Sequence, residues 1–154
     1  MSLPSVTLDR IESLLRPNDG AVRREGDVLR RSYSDVIVEV RCREKVLSVS
    51  AVSPTVLTDR QDLGAALELA AGPDAGRMLA ATSVERTETG GRMRAVFDTV
   101  ITAGATDTQL LRLLRRSLDI CASTVTEQDQ RIAELAKERQ EAAPEGRTAG
   151  GEQA

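Results

Sequence analysis

The sequence predicts an α+β domain, an antiparallel sheet with helices beside it in the order α-β-β-β-α-β-β-α. Three observations predict it. Residues 35–52, DVIVEVRCREKVLSVSAV, carry alternating side chains through two consecutive runs, the period of strands with one buried face. A second pair of runs flanks Gly90-Gly91, between Ala80 and Ile101. Capping-box patterns at Thr58-Asp59-Arg60-Gln61 and Thr106-Asp107-Thr108-Gln109 each precede an apolar stripe at helical spacing. Strands in blocks, with helices between and after them, argue an α+β layer.

Taken in order, Ser5 to Arg16 reads as a first helix, with Leu8, Ile11, Leu14 and Leu15 on one face and Ser5 or Thr7 as its cap. Pro17-Asn18-Asp19-Gly20 stops it in a turn. Ala21 to Tyr33 predicts a weak strand, interrupted near Glu25-Gly26-Asp27, to which Val28 and Leu29 give the apolar contribution. In the central pair a turn at Arg43-Glu44 sets Val40 opposite Leu47, Val38 opposite Val49 and Val36 opposite Ala51, all facing the helices. Ser53-Pro54 ends the pair, because proline has no N–H to give a ladder.

A helix is expected from Thr58 to about Ala71, with Leu63, Ala66, Leu67 and Ala70 inward and Gly72-Pro73 closing it. Asp74 to Leu79 either extends that helix or forms a loop. Gly90-Gly91 reads as a two-residue hairpin turn, placing Val84 opposite Phe97, Thr82 opposite Thr99 and Ala80 opposite Ile101. The last helix opens at Thr106 and runs to about Arg139. Leu111, Leu114, Leu118, Cys121, Val125, Gln128, Ile132 and Leu135 recur along it in a heptad-like seam. Its length, about 45–50 Å at ~1.5 Å per residue, exceeds what a small sheet covers. The far end should therefore protrude, meet a partner or fray, since Val125, Ile132 and Leu135 have no evident partner in the chain. The expected organisation is a domain over 5–126, a helical extension over 127–140 and a disordered tail over 141–154, where AAPEGRTAGGEQA offers nothing to bury.

Composition bounds the function. Hydrophobic residues are 40% and charged residues 29% of the 154. Tyr33 and Phe97 are the only aromatics, so the core must be aliphatic and thin, and a second subunit would add burial. The net charge of −3 and the want of stacking aromatics argue against a nucleic-acid partner. No apolar run approaches the roughly 20 residues that span a bilayer, and MSLPSVTLDR lacks the apolar centre of a signal peptide. A cytoplasmic protein without a membrane role is expected.

Chemistry finds little to work with. Histidine is absent, which removes the commonest general base and metal ligand. Ser-His and Cys-His nucleophiles are impossible within this chain. Cys42 and Cys121 are isolated and read as small buried hydrophobes, so neither a zinc site nor any cofactor is expected. Gly72, Gly76, Gly90 and Gly91 fit no phosphate loop. Asp59 and Asp62 sit where carboxylates complement a helix dipole. Arg112, Arg115 and Arg116 form a basic strip that reads first as a solvated helix face. No catalytic residue is assigned, and an enzyme is the least expected class.

The opening helix ending at Pro17-Asn18-Asp19-Gly20, the strand pair Val36–Val52, the capped helix from Thr58, the hairpin around Gly90-Gly91 and the closing helix from Thr106 together resemble the YbjN-type family of sensory-transduction regulators. That family shares the fold of type III secretion chaperones. The resemblance covers about residues 5–126 and rests on element order and spacing. It implies a homodimer and a client-binding or regulatory role without chemistry. The expected function is thus a non-enzymatic, protein-binding module, chaperone-like or regulatory, that holds a segment of an unidentified partner. The alternatives are a structural homo-oligomer built on the last helix and a stress-signalling regulator docking on a folded protein. A sheet covered on one side leaves Ile37, Val46, Val52, Val96 and Val100 on the other face, and the seam adds Leu118, Val125, Ile132 and Leu135. Ile37, Val46, Val96, Val100, Leu118, Val125, Ile132 and Leu135 are the candidate interface.

Overall fold

The structure, a computed structural model, describes residues 2–18, 21–72 and 79–143. Helix α1 (Leu8–Leu15) precedes four consecutive strands: β1 (Arg23–Glu25), β2 (Val28–Tyr33), β3 (Val36–Arg43) and β4 (Val46–Val52). Helix α2 (Arg60–Ala71), strands β5 (Ala81–Arg86) and β6 (Gly91–Val100), and helix α3 (Asp107–Ala142) complete it. The strands form one six-stranded antiparallel sheet in the order β1-β2-β3-β4-β6-β5. The excursion through α2 sends β5 to the sheet edge, and β6 returns beside β4. The fold is α+β, as the alternation predicts.

The expected weak strand before the central pair is two strands. Gly26, at φ +62°, lets the chain turn at Gly26-Asp27, so β1 pairs back on β2 from Arg23 opposite Arg30 to Glu25 opposite Val28. The central pair has the expected faces but a register two residues away. Val40 faces Val49, Val38 faces Ala51 and Cys42 faces Leu47, because the chain turns at Glu44-Lys45. The second hairpin differs more. Val84 faces Met93 and Thr82 faces Ala95, and the loop is Thr87 to Gly90, closed by the Thr87 N–H donating to Gly90 O at 2.9 Å. Gly90-Gly91 serves close approach instead of a tight turn. A Cβ at Gly90 would lie 1.9 Å from the Leu57 carbonyl oxygen. Gly91 and Leu57 exchange backbone hydrogen bonds of 2.7 and 3.0 Å.

All three helices of the described residues lie on one face of the sheet. Thr7 caps α1 by accepting from the Arg10 N–H, and the helix begins at Leu8, later than expected. Asp59 caps α2 through the N–H groups of Gln61 and Asp62, in place of the expected Thr58 box. The Thr106/Gln109 box forms as its spacing predicts, with both reciprocal bonds made. Arg10 then ties the start of the chain to α3. Its guanidinium donates to the carbonyls of Pro4 and Ala105 and pairs with Asp107 at 2.8 Å.

Helix α3 runs the length of the sheet. Cys121 donates its thiol to the Val49 carbonyl at mid-sheet, Asp129 meets Ser53 at the end of β4, and Arg139 pairs with Asp62 of α2. The core is the aliphatic layer between, with Val38, Val49, Ala51, Met93 and Ala95 of the sheet fully buried against Ile11, Leu110, Leu114 and Val125. The expectation that the seam beyond Cys121 lacks a partner in the chain is corrected here. Val125 and Ile132 are buried, because α2 flanks the distal half of α3 and the helix stays over the sheet and α2. The helix continues unbroken to Ala142, and the tail beyond residue 143 lies outside the described residues, as do Asp19, Gly20 and 73–78.

Candidate protein-interaction face

The opposite face of the sheet carries no helix among the described residues. Strand alternation decides what it presents. Pairing places Arg30, Glu39, Ser50 and Val96 in one row across the sheet, Arg41, Ser48 and Asp98 in the next, and Arg43, Val46 and Val100 in the last. On the other side of the first row stand Ser32, Ile37, Val52 and Arg94. Every second residue of β3, β4 and β6 therefore points away from the core.

The candidate residues divide on this map. Ile37 and Val100 are exposed, at 37% and 72%, and Val46 and Val96 are half-buried, all on the open face. Val52 lies there too, yet only 1% of it is exposed, in the row where Ile37 and Arg94 stand either side of it. Leu118, Val125 and Ile132 belong to the chain's own core, where they serve packing. Leu135 is half-buried in a groove between α2 and α3, beside Gly64, Ala65 and Ala142. The structure thus brings four of the eight together on one surface, buries three and sets one apart.

Arginines frame those valines. Arg30, Arg41, Arg43, Arg92 and Arg94 all occupy outward positions, as does Arg23 on β1. Glu39, only 8% exposed, accepts from Arg30 at 3.2 Å and Arg41 at 3.3 Å. Glu25 pairs with Arg30, and Glu85 with Arg92 at 2.8 Å and Arg94 at 3.5 Å. Arg41, Arg43 and Arg94 line a notch of about 360 Å³ with Val46, Ser48 and Asp98. The Arg41 Nε is buried there without a hydrogen-bond acceptor. Sequence reasoning passed over this cluster, because β3 and β6 had to be set in register through β4 before their arginines became neighbours. The usable signal was the i, i+2 spacing of Arg41/Arg43 and Arg92/Arg94 at outward strand positions.

Elsewhere the polar groups serve the fold. The Tyr33 hydroxyl donates to Asp119 across to α3, with Arg31 5.2 Å from the ring centre, and that hydrogen bond to the carboxylate holds the phenol above its usual pKa. These groups and Arg115 border a cleft of about 300 Å³ floored by leucines of α1 and α3. Arg112, Arg115 and Arg116 are otherwise solvated. Ser53 donates to Asp129 at 2.5 Å while accepting from the Thr55 N–H, and burial pushes the Asp129 carboxyl up. Burial also pushes up both thiols, Cys121 to about 12. Such a thiol is no nucleophile near neutrality. Asp59 and Asp62 act at the start of α2, the first as cap and the second as partner of Arg139. Among the described residues no cluster of His, Cys, Asp and Glu could hold a metal ion, and no helix is long and apolar enough to cross a membrane.

No protein-family model matches this chain, and no curated protein does. Among solved structures it is similar to YbjN, "a putative transcription regulator from E. coli", with a TM-score of 0.65 and 16% sequence identity over 84% of this chain and 96% of that one. Similarity at that identity is one of fold, and it agrees with the family resemblance carried by the order and spacing of the elements.

Proposed function

We propose that this protein works without chemistry of its own, as a chaperone-like or regulatory module that holds a segment of a partner protein on its open sheet face. The observation that carries the reading is the one-sided sheet. Three helices cover one face, while the other presents Ile37, Val46, Val96 and Val100 within a frame of arginines. An apolar patch rimmed by charge is the usual surface of a protein–protein contact. The YbjN-like fold supports a regulatory setting, and the lack of histidine and the raised thiol pKa values support a role in binding.

A photo-crosslinking residue placed at Val46 tests this in the native host. The expected result is a covalent adduct with a specific partner chain, absent when the crosslinker sits at Arg112 on the solvated side of α3. Equal adducts from both positions would refute the assignment of the face.

The second reading is a twofold homodimer. It is favoured by the thin core and by exposed apolar side chains away from the sheet face, above all Leu67 of α2, 58% exposed, on the helix that lines the Leu135 groove.

A further inference from the structure

Resting on the reading that the open face holds a protein segment, we infer that this segment is acidic, with its carboxylates seated at the notch of Arg41, Arg43 and Arg94. The chain as a whole is acidic, at −3, yet this face carries six outward arginines against Glu25, Glu39, Glu85 and Asp98. Charge is therefore segregated onto the surface without helices. The three glutamates are already engaged by Arg30, Arg41, Arg92 and Arg94. Arg43 makes no ion pair among the described residues, and the Arg41 Nε is buried without an acceptor, so the notch has donors in excess. Among the described residues Asp98 is the only carboxylate lining it.

Register adds the apolar half of the recognition. Arg43, Val46 and Val100 stand in one row, so a cation adjoins Val46 and shares its row with Val100, the most exposed valine of the sheet. An extended segment with a carboxylate at position i and a small apolar side chain at i+2 presents both to this one face. The same face disfavours other occupants. Tyr33 and Phe97 occupy helix-facing positions, so the face offers no aromatic platform on which bases could stack. A second copy docked face to face would oppose arginines with arginines.

Fluorescence anisotropy with the full-length protein provides the test. The probes are a labelled peptide repeating Glu-Ser-Val-Ser, which sets Glu and Val on one face of an extended chain, its Lys-for-Glu counterpart, and single-stranded oligo(dT). The acidic peptide should bind in low salt and lose about tenfold or more in affinity when screening is raised. Arg43→Glu, at a solvent-exposed position, should keep the melting temperature, weaken the acidic peptide about tenfold and improve the basic one. Equal binding of both peptides, no binding of the acidic one, preference for the oligonucleotide, or an acidic affinity untouched by Arg43→Glu would each overturn the inference. Ile37→Asp separates the two layers. If both peptides bind equally and Ile37→Asp weakens both, the face still holds a segment and only its acidity is refuted. If neither Ile37→Asp nor Arg43→Glu alters binding, the face itself is refuted.

Discussion

Two neighbouring residues of β3 give the sharpest test of which side of the sheet is core. Val38 is 0% exposed and faces Ala51 of β4 beneath α3, whereas Ile37 is 37% exposed and faces Val52 on the open side. Val38→Asp puts an unpaired carboxylate among aliphatic side chains. Its expected cost is about 3–5 kcal/mol, the range for an uncompensated buried charge. For a chain of this size each kcal/mol lowers Tm by roughly 2–4 °C, so the melting point should fall by on the order of 10 °C. Ile37→Asp projects into water from an exposed position of the open face and should stay within about 0.5 kcal/mol of the parent. Thermal melts and urea titrations followed by far-ultraviolet circular dichroism would measure both. Equal destabilisation, or a larger loss for Ile37→Asp, would show that the two faces are assigned the wrong way round.

Further outcomes follow from the buried polar groups and from assembly. Asp129 has a carboxyl pKa raised above 3.8 by burial, so the native state keeps a proton that the unfolded chain releases. The stability from this group is complete below the ordinary carboxylate pKa and is lost as pH rises through the raised native value. Asp129→Asn should therefore gain on wild type between about pH 4 and neutrality in denaturation series, and a wild-type advantage that stays constant or grows as pH rises would contradict this. Cys121→Ala should cost roughly 1 kcal/mol and leave partner binding unchanged, whereas lost binding with an unchanged melt would mean a functional thiol. Light scattering at micromolar concentration should find a dimer that survives Val100→Asp and dissociates with Leu67→Glu. A monomer at every concentration would refute the dimer.

What the residues disclosed depended on the kind of pattern. Period-2 alternation fixes which side chains share a face, so Val36, Val38, Val40, Leu47, Val49 and Ala51 fall on the helix side as read. It does not distinguish pairings that differ by two residues, and the turn decides between them. The chain turns at Glu44-Lys45, one step beyond the expected turn, and every pair moves while every face stays. Gly90-Gly91 misled for a different reason. Its glycines are demanded by the Leu57 backbone and the Val84 side chain, contacts from distant parts of the chain that no local rule contains. The α3 seam was legible as apolar, yet its partner was not, since that depends on where α2 packs, and α2 is held to α3 by Arg139 and Asp62.

The candidate site was half legible. The valines of the open face could be listed from alternation alone, because an outward apolar residue breaks the expected polar pattern. The arginines obey that pattern and so drew no notice until the register through Ser48 set Arg41 and Asp98 on either side of it. Leu118, Val125 and Ile132 were listed for the same apolar signal, which by itself cannot separate a core stripe from an interface stripe.

The most direct measurement of the central claim is partner recovery from the native host with the doubly substituted chain Ile37→Asp, Val100→Asp, beside wild type. Both positions are exposed on the open face, so the variant should melt with wild type. The account predicts that the specific partner chain recovered by wild type is lost from this variant. A variant that keeps its fold and recovers the same partner at the same yield would contradict the claim that the open sheet face is where this protein works.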